Sequence, residues 1–216
     1  MNNFLIGTIL NLFLLVPAVV AIYRFRLIDK TFLPFLLLIW VGAVNEILSL
    51  VLIYTVKTNS ANSNIYVLLE YILVMYQFYR WSDRSAKLYL FFILAGLLVW
   101  ITDNLLLNSI FYRNALFRIF YSFIVIFFSI DQVNKLIVYE RRSLFKNPVF
   151  LVCLTFLIYY SCKAFVEVFI TFDLGLDEAF NEKVIMLMVF SNFFSNILYT
   201  IALVCIPPKL EFTLPY

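Results

Sequence analysis

Six ionisable residues stand well inside otherwise apolar stretches of this sequence, away from their cytoplasmic ends: Glu46, Glu70, Asp103, Arg118, Lys163 and Glu167. A charge in hydrocarbon costs about 2.5–3.5 kcal/mol even on the mildest scale, so each needs a partner, water or a task. Four carboxylates face two cations, and perfect pairing would still leave two acids to be protonated, hydrated or neutralised by a ligand. Such a set can relay protons or cations, or recognise a charged small molecule. Glu46 is the deepest acid and the best single candidate. Enzymatic chemistry has little material here: the chain has no histidine, and its three cysteines, Cys153, Cys162 and Cys205, sit in apolar runs. Ser-His and Cys-His nucleophiles, His-dependent metal centres and a histidine pH switch are therefore excluded. Carboxylate chemistry or a Lys163 nucleophile is all that remains for an intramembrane enzyme, and no cofactor is implied.

Helical spacing groups these charges with other polar residues. Arg118, Ser122, Ser129 and Gln132 share one stripe; so do Tyr160, Lys163 and Glu167, and so do Asn192, Ser195, Asn196 and Tyr199. Shorter stripes join Gly42, Glu46 and Ser49, then Tyr66, Glu70 and Gln77, then Gly96, Trp100 and Asp103. If the stripes face one another they enclose a polar cavity, with Glu46, Glu70, Asp103, Arg118, Lys163, Glu167, Asn192 and Asn196 as its candidate ligand-binding residues. Polar side chains can also act only as glue between membrane helices, and Lys163 with Glu167 could satisfy each other at i,i+4.

The elements that must position these groups follow from composition. Of 216 residues, 64% are apolar and 13% charged, with a mean hydropathy of +0.98. Soluble domains hold roughly 45–50% apolar and 25% charged residues, so the solvent of this chain is a lipid bilayer. Apolar runs at about 4 to 23, 32 to 56, 65 to 79, 88 to 107, 115 to 138, 149 to 172 and 184 to 206 predict seven helices forming one all-α polytopic bundle over 1–206, with a short tail at 207–216. The first run lacks basic residues ahead of it and is followed by Arg24 and Arg26, the pattern of a retained helix rather than a cleaved signal. Eleven Lys and Arg fall on one side of the alternating connections, among them Arg24, Arg80, Arg84, Arg141, Arg142 and Lys209. Lys57, Arg113 and Lys183 are alone on the other. The amino terminus is therefore expected outside and the tail in the cytoplasm, in a plasma (inner) membrane. The net charge of +3 is a topology signal, and nucleic acid is not an expected partner.

With that polarity, 1.5 Å of rise per residue puts Arg118, Asp103, Glu70 and Glu167 roughly 6 to 9 Å below the outer boundary, and Lys163 and Glu46 roughly 13 to 17 Å down. The charged layer thus belongs to the outer half. Asp131 lies near the inner boundary and is expected to pair with Lys135. The acidic connection with Asp173, Asp177, Glu178 and Glu182 matches no calcium-loop spacing and reads as a solvated lid.

The runs Asn45-Glu46, Asn64-Ile65-Tyr66 and Leu69-Glu70-Tyr71 resemble those of small bacterial seven-helix membrane proteins similar to the sensing portions of membrane histidine kinases. The resemblance covers two helices and implies a class rather than an activity. Together with an outward charged cavity it favours a sensor that binds a small polar or lipid-derived ligand and signals to a separate cytoplasmic protein. A proton- or cation-coupled transporter or channel, and an assembly factor for a membrane complex, are the alternatives.

Overall fold

Proline cannot donate to the carbonyl four residues back, and its ring collides with that carbonyl. Pro17 accordingly splits the first apolar run into α1 (Asn2–Leu12) and α2 (Leu15–Arg24). Between them the amides of Phe13, Leu14 and Val16 bond to carbonyls three residues back, at 3.2, 3.1 and 3.0 Å. In this computed structural model the described residues are 2–140, 143–172 and 177–208. Arg141, Arg142, Asp173, Lys209 and the rest of the tail, and the side chain of Glu178, lie outside the described residues.

The chain continues through α3 (Leu33–Val56), α4 (Ser60–Trp81), α5 (Ala86–Ile101), α6 (Leu116–Tyr139), α7 (Pro148–Phe172) and α8 (Glu178–Cys205). The described residues are thus all-α. Six helical segments among them are long and apolar enough to cross a membrane: Ile6–Arg24, Lys30–Val56, Ala86–Leu107, Leu116–Tyr139, Pro148–Phe172 and Phe180–Cys205. The remaining helix, α4, has 22 residues but is too polar to join them. Its polar residues explain both its composition and its place. Asn64 and Gln77 are buried and tie down the neighbouring connections, and Glu70 is buried between them. The Asn64 amide donates to the Ile110 and Tyr112 carbonyls at 2.9 and 2.7 Å, and Trp100 donates to the Asn64 carbonyl at 2.8 Å. Thirteen residues on, Gln77 accepts from the otherwise unpaired Phe35 amide in the first turn of α3 at 2.7 Å and donates to the Thr31 carbonyl at 2.8 Å.

Contacts run from α3 to α4, α4 to α6, α6 to α7, α7 to α8, α8 to α2 and α2 back to α3, closing a ring; α5 lies outside it against α4 and α6. Gly96 permits that outer contact, since a Cβ there would meet the Tyr71 ring at 2.2 Å. Apolar side chains such as Ile22, Val44, Leu98, Phe123 and Phe127 are exposed around the bundle, while Ser122, Ser129, Lys163, Glu167, Ser195 and Asn196 are buried within it. A water-soluble helix shows the opposite arrangement.

The two ends differ. At the end carrying Arg24, the interior is filled by aromatic rings: Phe78 lies 5.7 Å from Phe128 and 5.8 Å from Phe156, and Phe35 lies 5.4 Å from Tyr199. Arg24 itself donates to the Val204 and Ile206 carbonyls at the end of α8, as a cation at a helix C-terminus does. Asp131 bridges Arg84 at 2.6 Å and Lys135 at 3.1 Å. At the other end, α3 stops on Lys57 in a left-handed conformation with φ 65°, and the charged groups gather.

Candidate functional site

At the Lys57 end the bundle holds a cavity of about 480 Å³ walled by α1, α3, α4, α6, α7, α8 and the connection between α5 and α6. Glu46, Arg118, Lys163, Glu167 and Asn192 line it, with Arg113 and Glu182. A smaller space of about 50 Å³ shares Tyr66, Tyr159 and Asn192 with it and reaches on to Glu70, Asn196 and Tyr199. Of the candidate residues read from the sequence, seven therefore line these two spaces, and Asp103 lines neither.

Asp103 has another occupation. The chain after α5 is wound as a π-helix over Thr102–Leu107, and this wider turn carries the buried Asp103 carboxylate to the start of α6. One oxygen accepts the Phe117 amide at 2.8 Å and the other accepts the Asn108 side chain at 3.1 Å. Ala115, at the N-cap, has no side chain that can bond, so Asp103 supplies the capping acceptor from the preceding helix.

Four of the remaining charges fall into two clusters across α4, α6 and α7, Lys163 with Glu70 and Arg118 with Glu167. Lys163 meets Glu70 at 3.0 Å, Tyr121 donates to the same carboxylate oxygen at 2.6 Å, and the Lys163 ammonium also contacts the Tyr121 hydroxyl. The ammonium lies over the Tyr121, Tyr159 and Tyr160 rings, 4.8, 5.3 and 5.6 Å from their centroids. Electron-rich ring faces and a carboxylate together replace the hydration this buried cation has lost. Arg118 is turned inward rather than toward the bundle's end. It donates to the Asn114 carbonyl, the Ser63 hydroxyl and the Asn64 side-chain oxygen, each at 3.0 Å, and its Nε lies 4.0 Å from Glu167.

Glu167 does not pair with Lys163 one turn earlier. Its Oε1 accepts from Arg113 at 2.6 Å, while its buried Oε2 has no hydrogen-bond partner. Arg113 is the residue that sequence reasoning missed. It was counted with the connection between spans, and nothing in its neighbours marks it as bonded to a buried acid. The only available signal was the deficit of cations. With Arg113 added and Asp103 removed, Glu46, Glu70 and Glu167 face Arg113, Arg118 and Lys163.

Glu46 stands apart on α3, half-buried, with no hydrogen bond or ion pair among the described residues. Its neighbours are engaged elsewhere: Asn62 donates to Asn45 at 2.9 Å and to Ser49 at 3.2 Å, and Asn192 donates to Asn11 at 3.0 Å. The Asn196 amide nitrogen, buried beside the smaller space, has no partner. Among the described residues no group of three or more Cys, Asp or Glu is arranged to hold a metal ion. The cavity thus sets a carboxylate that has no counter-ion among the described residues beside a wall of ion-paired side chains. Compared with family models, curated proteins and solved structures, the chain matches none.

Proposed function

We propose that this chain is an integral membrane sensor: seven spans, with α4 as the seventh, held by lipid on the outside, and a charged cavity that binds a small ligand and passes a helix shift to a separate cytoplasmic protein. The excess of basic residues at the Arg24 end supports placing that end in the cytoplasm of a plasma (inner) membrane and the cavity outside. α4 has about the length a bilayer needs, roughly 33 Å at 1.5 Å per residue, and its polar groups are spent inside the bundle.

One observation carries the choice of a sensor: the residues lining the cavity lie toward the Lys57 end, and below the smaller space Phe35, Phe78, Phe128 and Phe156 fill the interior. A transporter of this design must open that aromatic layer, whereas a receptor needs only to shift helices around it. Transport by a proton or cation relay through Glu46 remains the second reading, favoured by that carboxylate's lack of a counter-ion among the described residues. Proteoliposomes separate the two. With a panel of protons, alkali ions and small polar solutes, no flux above that of empty liposomes is expected. Flux that disappears in Glu46→Gln would overturn the sensor reading in favour of transport.

A further inference from the structure

The charged groups of the cavity wall differ in how fully they are used. Lys163 has Glu70 and Tyr121, and Arg118 has three hydrogen-bond acceptors and lies 4.0 Å from Glu167. Arg113 spends its charge on Glu167 and is half exposed. The open capacity is on the acids. Among the described residues Glu46 has no partner, and Glu167, 2% exposed, keeps one oxygen unpaired in the wall of the same cavity. Glu70 is already paired with Lys163, and Arg113 with Glu167, so the carboxylate left open in the wall is that of Glu46. An anion entering here would meet cations already bound and would lie near an unpaired carboxylate oxygen; a cation would supply the missing partner.

The rest of the wall sets the ligand's shape. Ile185, Met186 and Val189 of α8, with Leu50 and Ile53 of α3, present apolar surface, and Tyr66 and Tyr159 bring aromatic rings. Methionine adapts to the shape of what it touches. A volume near 480 Å³ is in the range that encloses a small organic molecule.

We propose that the cavity takes an organic cation, its ammonium group on Glu46 and its apolar body along α8. The proposal rests on the reading of this cavity as a ligand site. It is tested on the full chain in detergent micelles by titration calorimetry with three probes of similar shape: phenethylammonium, phenylpropanoate and phenethyl alcohol. The expected result is that phenethylammonium binds at least about tenfold more tightly than the other two. Glu46→Gln should weaken it about 10- to 100-fold, while Glu46→Asp, which keeps the charge, retains most of the binding. Tighter binding of phenylpropanoate or phenethyl alcohol would overturn the ligand class and leave the cavity a binding site. Phenethylammonium binding unchanged in a folded Glu46→Gln variant would remove Glu46 from the site. Binding of none of the three would overturn both the ligand class and the sensor reading. The comparison among probes on the unaltered protein stands even where the Gln variant fails to fold.

Discussion

Lys163, Glu70 and Tyr121 form a unit in which each group depends on the others. Removing Lys163 leaves a carboxylate buried without its counter-ion, so Lys163→Met should lower stability by about 3–5 kcal/mol. Changing both charges, as Glu70→Gln with Lys163→Met, should recover a large part of that loss, because a neutral pair demands no counter-ion. A double-mutant cycle on unfolding in mixed micelles measures the difference; equal losses in the single and double variants would show that the pair is not a unit. Asp103 gives the opposite case. It caps α6 and touches neither cavity. Asp103→Ala should cost about 0.5–2 kcal/mol in stability and leave probe affinity unchanged. A change in affinity at full occupancy of the folded state would put Asp103 back in the binding site. Spacing alone could not separate these two roles, since both residues are acids on inward helix faces. The distinction depends on the π-helical turn at Thr102–Leu107, which no local residue pattern marks.

The helices were legible to different degrees. Polar stripes on α6, α7 and α8 predict inward faces, and Arg118, Ser122, Ser129, Gln132, Lys163, Glu167, Ser195 and Asn196 are buried. Hydropathy finds six long apolar segments because their outward faces are apolar all along; α4 falls short because its polar residues serve interior hydrogen bonds. Pro17 lies deep in the first apolar run, and the split into α1 and α2 rests on the amides before it bonding three residues back instead of four. Two substitutions test the packing account. Gly96→Ala forces a methyl group into the Tyr71 ring and should cost about 1–3 kcal/mol, read as a lower unfolding temperature. Lys57→Gly places the residue suited to a left-handed helix end at φ 65° and should raise stability by about 0.5–1 kcal/mol. No change at Gly96 would show that the Tyr71 contact does not constrain the packing of α5, and a loss at Lys57 would show that the left-handed conformation does not constrain the end of α3.

At the scale of the molecule, a closed ring of helices is filled with aromatic rings at one end and lined with ion pairs around a cavity at the other. The sequence displays the raw material of that asymmetry, six charges in apolar runs, but not its arrangement: Arg113 reaches Glu167 only because the connection after α5 is folded over the end of α7, a long-range contact. The central claim is that the cavity communicates with one side of the membrane alone. Ser49→Cys in a chain freed of Cys153, Cys162 and Cys205 places a thiol in the cavity wall, and a membrane-impermeant thiol reagent can be applied to right-side-out and inside-out vesicles separately. The account predicts modification only in right-side-out vesicles, with Lys87→Cys modified only in inside-out ones; modification of Ser49→Cys from both sides would contradict a cavity closed at the Arg24 end.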